Sequence, residues 1–396
     1  MNAFKFTKTQ LSKYKIIYPR YNMSYLVTRE LQKLVKKISK ITGKETLMLP
    51  DNKREFNYEI VVDNANRCGS PEINDYDTYV IAPVGNKNFI KGGPPYSTVA
   101  GVKRFIKLLE KGEPITQTIT GSYDADKSRF GKDYRLAWND DFDSKEIDES
   151  KWQIYYEKKL CYCEGLNGKQ TMRCRKEPPN TFQKDGDLYI CATETEDAYY
   201  GGMLCTHDTM RYKYGFIEIS AIHPKGAGFW TALWLNGNKG KNGDYYAEID
   251  VDECYGKGGD YVLGNTFAWP SKKCKEEKDG QLVHYCNRKN ADERGFWQDY
   301  HTFGFEWDEK RMTFTCDGFP YKTQDITKTD AEKEAFQVPF FLRLSMALGF
   351  SARKEISTDP WEWENTNKLI VDYVNIYQKP DQEIFINEIF GWDAFE

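Results

Sequence analysis

Two stretches within the first 112 residues place apolar side chains at helical spacing. The first runs from Ser24, a typical N-cap, to Gly43, a typical helix stop. The second covers residues 97–112 and also ends on a glycine. Four short apolar runs of strand type surround these two helices, at residues 14–19, 57–64, 77–85 and 87–93. The order β-α-β-β-β-α predicts a small α/β domain over residues 1–112.

The pattern changes after a polar stretch at residues 113–132, which we interpret as a linker. From residue 133 to 380 the helical periods disappear and short runs rich in Trp, Tyr, Phe, Ile and Val alternate with Gly, Asn and Asp. Many short strands separated by turn signals predict an all-β sandwich. Residues 381–396 form an apolar C-terminal tail that we expect to pack on the body of the protein.

One strand-like run contains the hexapeptide EIDVDE, residues 248–253, with four acidic side chains. Retaining glycosidases need two carboxyl groups about 5–5.5 Å apart, one as nucleophile and one as general acid/base. A regular strand would bring Glu248, Asp250 and Asp252 to one face. A β-bulge after Asp250 would instead place Glu253 beside the first two and turn Asp252 away. The residues alone leave both readings open, together with an exposed acidic or calcium-binding strand.

The hexapeptide and its surroundings resemble glycoside hydrolase family 16, whose signature is E-[ILV]-D-x-x-E or E-[ILV]-D-x-E. The resemblance implies a retaining glycosidase with a curved β-jelly-roll sandwich, with Glu248 as nucleophile, Asp250 as assisting acid and Glu253 as general acid/base. It then makes Asp252 a bystander. Six further landmarks of the family follow in order, at residues 138–152, 180–193, 214–235, 301–318, 339–350 and 371–377.

The same resemblance suggests substrate-binding residues. It implies Trp230, Trp234 and Trp269 as aromatic residues of the cleft, with Asn180 and Arg175 as polar ones. No cofactor is required, but many members hold a structural calcium, and Asp372 matches one of its ligands.

The chain departs from the family at three places. Phe216 stands where the family commonly has an arginine. Ala268 stands near the position where many laminarinase-like members carry a histidine. The insert at residues 271–299, which holds several Lys and Arg, is expected to shape one rim of the cleft.

Residues 13–112 resemble the N-terminal accessory domain of family 20 β-hexosaminidases and α-glucuronidases. The resemblance lies in the order YKIIYP, KISKITG, DTYVIAPVGNKNFIKGG and LLEKG. It implies an accessory role without catalytic residues of its own.

The net charge of −4 argues against an electrostatic nucleic-acid binder. No apolar run is long enough to span a membrane. The ten cysteines fit either disulfides or free thiols. A polymeric substrate favours an extracellular location, and the missing signal peptide keeps a cytoplasmic one open.

The function expected from these observations is endo-hydrolysis of a β-1,3- or mixed-linkage glucan by a monomer. Two alternatives remain: hydrolysis of a β-galactan or another galactose-containing glycan, and a non-catalytic glycan-binding protein on the same fold. The three signature acids favour catalysis, because binding proteins of this type usually lose one or more of them.

Overall fold

The computed structural model describes residues 4, 6–73, 77–123, 134–154, 170–172, 180–196, 198–239, 242–255, 260–349 and 355–387. The chain forms two compact units. The first comprises Met1–Gly131 with Asp317–Phe319, and the second comprises Lys132–Cys316 with Pro320–Glu396.

The first unit is a small α/β domain. Its elements in chain order are α1 (Lys8–Leu11), β1 (Lys15–Tyr18), α2 (Tyr25–Thr42), β2 (Met48–Pro50), β3 (Glu59–Val62), β4 (Thr78–Val84), β5 (Lys87–Gly92), α3 (Pro95–Lys111) and β6 (Ile119–Ser122).

The six strands form one sheet in the order β2-β1-β3-β5-β4-β6. The predicted strands and both predicted helices are present, and two strands were missed. β2 pairs parallel to β1. β6 pairs antiparallel to β4 and lies inside the predicted linker, so that residues 119–122 extend the sheet instead.

Helices α2 and α3 supply most of the helical part of this unit's core. The Ser24 hydroxyl accepts a hydrogen bond from the backbone N–H of Leu26 at the start of α2. Gly43 and Gly112 end α2 and α3 with φ of 68° and 66°, a left-handed conformation that glycine adopts without strain. The apolar faces of both helices pack on the sheet through residues such as Leu31 and Phe105, both fully buried.

The second unit is built almost entirely of strands. Its elements are β7 (Arg135–Asp140), β8 (Gln153–Ile154), β9 (Gln170–Met172), β10 (Thr181–Lys184), β11 (Asp187–Cys191), β12 (Thr193–Glu194), β13 (Ala198–Tyr200), β14 (Gly202–Cys205), β15 (Met210–Lys213), β16 (Gly215–Ile222), β17 (Phe229–Lys239), β18 (Tyr245–Cys254), β19 (Tyr261–Pro270), α4 (Lys272–Lys278), β20 (Val283–Asn290), β21 (His301–Trp307), β22 (Arg311–Cys316), β23 (Phe319–Asp325), α5 (Asp330–Ala335), β24 (Phe340–Leu348), α6 (Pro360–Asn365), β25 (Lys368–Gln378) and β26 (Glu383–Ile386).

Two large sheets make the predicted sandwich. The eight-stranded sheet has the order β10-β11-β25-β16-β21-β22-β23, with β7 added on β25. The nine-stranded sheet has the order β20-β19-β18-β17-β24-β14-β8, with β15 and β26 added beside β24. Alternate residues of both sheets fill one core, for example Ile219 on β16 and Leu233 on β17. The prediction of a mainly β fold with a smaller α/β unit is confirmed.

Two segments of uncertain role in the sequence extend the nine-stranded sheet. The insert at residues 271–299 contributes α4 and the edge strand β20, which pairs along β19 from Tyr261 to Ala268. The C-terminal tail contributes β26, which pairs with β15. Within the described ranges, no helix has the length and apolar character needed to cross a membrane.

Candidate active site

The acidic hexapeptide lies on β18, and β18 carries a β-bulge at Val251. Trp234 of β17 pairs with Asp250, whereas the preceding Leu233 pairs with Asp252, so Val251 has no partner on β17. The register against β19 shifts in the same segment. The bulge that the spacing of the acids left open, and that the family resemblance implied, is therefore present.

The bulge separates the four acids into two environments. Glu248 and Asp250 share the outer face of the nine-stranded sheet, because side chains alternate along a regular strand. The extra residue reverses the phase and brings Glu253 to the same face, where it interacts directly with Asp250. Asp252 lies opposite the core residue Leu233 and points into the sandwich.

The Glu253 carboxylate is held by three side-chain donors. Trp230 Nε1 donates to Oε1 at 3.0 Å, and Tyr255 Oη donates to the same oxygen at 3.1 Å. Asn265 Nδ2 donates to Oε2 at 2.5 Å. Burial raises the pKa of Glu253 above its ordinary value, although these hydrogen bonds oppose the rise.

Asp250 lies between the other two acids of the outer face and is 3% exposed. Burial raises its pKa well above the ordinary value, and the nearby charges of Glu253 and Glu248 raise it further. A hydrogen bond with Glu253 also favours the protonated form of Asp250. Burial, the neighbouring charges and this hydrogen bond all favour the protonated form of Asp250.

The inward-facing Asp252 has a separate partner. Its Oδ2 lies 2.7 Å from His223 Nε2, and both side chains are almost fully buried. His223 Nδ1 lies 2.8 Å from Thr231 Oγ1, and the imidazole packs edge-to-face on Phe303. These contacts show that Asp252 belongs to the buried layer that packs under β18.

Trp230 and Trp234 share the outer face with the acids, as predicted for two residues four apart on one strand. The Trp230 ring stacks on Tyr255, with centroids 5.6 Å apart, while its N–H bonds Glu253. Trp234 Nε1 donates to Ser345 Oγ at 3.1 Å, and the Arg343 guanidinium lies 4.8 Å over the Trp234 ring. Both indoles are thus fixed beside the acidic cluster.

A second group of rings lies on the other side of the acids. Trp269 stacks on Phe267 at 5.0 Å, and Phe267 stacks on His284 of β20 at 4.1 Å. Phe267 is paired directly with Glu248. Ala268 stands near the position where many laminarinase-like members carry a histidine, and it is buried in the core. The imidazole near the acids is that of His284, which belongs to the insert.

Of the two predicted polar cleft residues, only Asn180 is described; Arg175 lies outside the described residues. Asn180 is 1% exposed, and its amide donates to the carbonyl oxygens of Cys191 and Tyr200 and to Thr193 Oγ1. The structure therefore gives Asn180 a scaffolding contact and does not bring it to the acidic cluster.

Asp372, the predicted calcium ligand, lies at a bulge of β25, where the register against β16 shifts. Its Oδ2 accepts a hydrogen bond from Ser220 Oγ at 3.1 Å. Burial raises the pKa of Asp372 to about 6, and Asp187, Asp143 and Asp141 add to the rise. Across the residues the structure describes, no group of three or more His, Cys, Asp or Glu is arranged to hold a metal ion.

Sequence reasoning missed several residues of the site. Tyr255 stands two positions after Glu253, so the alternation of the strand could have indicated it. Asn265 is a polar residue in an apolar run and carried a similar signal. His284 and Arg343 gave no local signal. His284 reaches this face because β20 pairs with β19, and Arg343 reaches it because β24 pairs with β17.

The fold and the site together define a class: a β-sandwich whose outer face carries a bulged strand with three carboxyl groups between aromatic side chains. The model of the glycosyl hydrolases family 16 matches residues 167–374, more than half of the chain. The chain belongs to glycosyl hydrolase family 16.

Known relatives match about three fifths of the chain. The chain is 27% identical over 268 residues to glucan endo-1,3-beta-glucosidase A1 of Niallia circulans, spanning 62% of this chain but only 38% of that protein. It is 24% identical over 271 residues to the beta-glucanase of Rhodothermus marinus, spanning 64% of this chain and 88% of that protein.

A solved structure shows the same fold. The non-specific endo-beta-1,3(4)-glucanase SCLam superimposes with a TM-score of 0.50 at 23% identity, over 62% of this chain and 92% of that chain. The likeness supports the β-sandwich architecture.

Proposed function

We propose that this protein is a retaining endo-glycosidase that hydrolyses a β-1,3- or mixed-linkage glucan. The observation that carries the proposal is the bulge at Val251, which gathers Glu248, Asp250 and Glu253 on one face and leaves Asp252 in the core. Two carboxyl groups on one face, one of them with a raised pKa, are the groups that a double displacement needs.

In the first step, Glu253 protonates the glycosidic oxygen while Glu248 attacks the anomeric carbon. The bond to the leaving sugar breaks, and a glycosyl ester forms on Glu248. In the second step, Glu253, now ionised, takes a proton from water, and the water oxygen displaces Glu248. The configuration at the anomeric carbon is retained.

Asp250 has an assisting role in this scheme. Its surroundings favour its protonated form, and it is hydrogen-bonded to Glu253, so it limits the negative charge of the cluster when Glu253 ionises. The three donors to Glu253 then stabilise the ionised form that the second step requires. Burial favours the protonated form of Glu253, and the three donors favour its ionised form; a group that acts first as acid and then as base needs both.

The choice of a neutral glucan is supported by the two relatives described above, both of which are named for glucan hydrolysis, and by the charges of the insert. Four basic side chains of the insert are paired with acids of this unit, which leaves less positive charge for a sulfated galactan. These pairs are Lys272–Glu276, Lys273–Glu277, Lys278–Asp244 and Arg294–Asp299.

The aromatic side chains beside the acids supply stacking surfaces for pyranose rings. Trp230 and Trp234 would contact sugars on one side of the cleavage point, and Trp269 on the other. The N-terminal unit would act as an accessory domain like that of family 20 β-hexosaminidases, and the enzyme would act as a monomer. A structural calcium at Asp372 stays a prediction.

Product analysis against a panel of β-glucans and β-galactans tests the proposal. We expect oligosaccharide release from laminarin or a mixed-linkage glucan, and none from E248Q, which should still bind the polymer in affinity electrophoresis. Release of oligosaccharides from galactans alone would show that the substrate is a galactan and not a glucan. A wild-type protein that binds glycan but hydrolyses none of the panel would favour the binding-protein alternative.

A further inference from the structure

The edge strand β20 lies within the insert, and its outward-facing residues reach the acidic site. In the pairing of β20 with β19, His284 lies opposite Phe267, and Cys286 lies opposite Asn265. Phe267 and Asn265 in turn pair with Glu248 and Asp250 of β18. One strand, β19, therefore separates the insert from the acids.

Asn265 connects the insert to Glu253. Its amide is 4% exposed and lies between two groups. Asn265 Nδ2 donates to Glu253 Oε2 at 2.5 Å, and Asn265 Oδ1 lies 3.4 Å from His284 Nε2. A carboxylate accepts hydrogen bonds, so the amide nitrogen must face Glu253 and the amide oxygen must face His284. His284 is then the donor, with its proton on Nε2.

The imidazole of His284 is itself held in place. It stacks on Phe267 with centroids 4.1 Å apart and ring planes within 5° of parallel. Partial burial lowers the pKa of His284, so the ring is neutral at neutral pH and its Nε2–H tautomer is selected by Asn265. Stacking on Phe267 thus fixes the plane of the ring, and the hydrogen bond with Asn265 fixes the proton on Nε2.

We propose that His284 is a positioning residue for Glu253, acting through Asn265. The proposal rests on the proposed role of Glu253 as acid/base. By donating to Asn265 Oδ1, His284 prevents the amide from turning its oxygen toward Glu253. It thereby preserves a hydrogen bond that favours the ionised form of Glu253 in the second chemical step.

Several other groups act on Glu253 and must stay constant in a test. Asp250 and Glu248 face it from β18, and Asp252 acts from beneath. Trp230 of β17 and Tyr255 donate hydrogen bonds to it. From β20, Cys286 interacts with Glu253 and also with Arg288, whose positive charge lies on the same strand.

The test measures the pH dependence of kcat/KM in the wild type and in variants. The basic limb of this profile reports the pKa of the general acid in the free enzyme. H284F keeps an aromatic ring on Phe267 but lacks the donor. We expect H284F and N265A to move the basic limb upward by about 0.5 to 1 pH unit, the size of one hydrogen bond. H284Q, whose amide can donate, should keep the wild-type limb.

A double variant separates an indirect effect from an independent one. If His284 acts only through Asn265, N265A/H284F should shift the limb no further than N265A alone. An unmoved limb in H284F, or shifts that add in the double variant, would overturn the proposal. Circular dichroism and the melting temperature verify that each variant is folded.

The role of Glu253 is measured separately. E253A should lose hydrolysis of the polymer but recover cleavage of an activated aryl glycoside when azide is added. Rescue of E253A together with an unmoved H284F limb would refute the role of His284 alone. Wild-type turnover by E253A would refute the acid/base assignment, and with it this proposal.

Discussion

The carboxylate of Asp252 and the imidazole of His223 form an almost fully buried pair, with Oδ2 and Nε2 2.7 Å apart. The pair lies directly beneath β18, whose opposite face carries the three other acids. The neighbouring residues Asp252 and Glu253 therefore have different roles. Asp252 supports the strand, while Glu253 faces the substrate side.

The first prediction separates these roles. D252A leaves His223 without its carboxylate in the core and should reduce the free energy of unfolding by about 3 kcal/mol. The catalytic rate of the folded protein should stay within about threefold, because Asp252 does not reach the outer face. Chemical denaturation and initial rates at low temperature measure the two effects.

D250N is the matched comparison. It removes one of three crowded carboxyl groups, so the melting temperature should stay equal or rise. The kcat should fall at least about tenfold, because an amide cannot exchange a proton with Glu253. The reverse pattern, with D252A inactive at wild-type stability, would show that Asp252 belongs to the reacting groups.

The second prediction concerns the bulge itself. Deleting Val251 should restore a regular strand in which Glu248, Asp250 and Glu253 still share one face. The buried Val251 side chain would be lost, at a cost of about 2 kcal/mol in the free energy of unfolding. We expect kcat/KM to stay within about tenfold of the wild type.

Deleting Ile249 instead is the control for a shortened strand. This deletion reverses the phase between Glu248 and Asp250 and should turn one of them into the core. It should abolish activity. Equal loss of activity in both deletions would show that strand length, and not the phase set by the bulge, places the acids.

The third prediction concerns the N-terminal unit. Asp63 is 8% exposed and accepts a hydrogen bond from Thr98 Oγ1, and burial raises its pKa from 3.8 to about 6. A carboxyl group whose pKa is higher in the folded state stabilises the fold below its unfolded pKa and loses that contribution as pH rises through about 6. The shift corresponds to about 3 kcal/mol.

D63N should therefore stabilise this unit at pH 8 by about 2–3 kcal/mol and leave it unchanged near pH 4. Asparagine tolerates the left-handed backbone of this position, where φ is 59°. The two long helices α2 and α3 lie in this unit, so the helix signal in the far ultraviolet reports mainly on it. All ten tryptophans follow residue 137, so their fluorescence reports on the other unit. Equal stability of D63N and wild type at both pH values would refute the prediction.

The sequence predicts the elements that carry their own periodic or capping signal. Helix α2 has an apolar stripe, Ser24 at its start and Gly43 at its end, and it forms between those residues. Strand β6 has no such signal, because none of its four residues is buried. Its pairing with β4 comes from backbone hydrogen bonds, which leave no trace in the side-chain pattern.

The site follows the same division. The spacing of the acids along one strand limits the possibilities to a regular or a bulged strand, and the resemblance to the family signature favours the bulged one, which brings Glu253 to the outer face. The contact of His284 with Asn265 spans 19 residues and depends on the register of an edge strand within an insert. Local patterns indicate which residues share a strand face, but they do not give the pairing between strands.

The most direct test of the double displacement is to trap the glycosyl enzyme with an activated 2-deoxy-2-fluoro glycoside of a substrate sugar and map the labelled peptide by mass spectrometry. The proposed mechanism predicts a single label on Glu248, absent in E248Q. A label on Asp250 or Glu253, or no label on an enzyme that hydrolyses the unfluorinated parent compound, would contradict it.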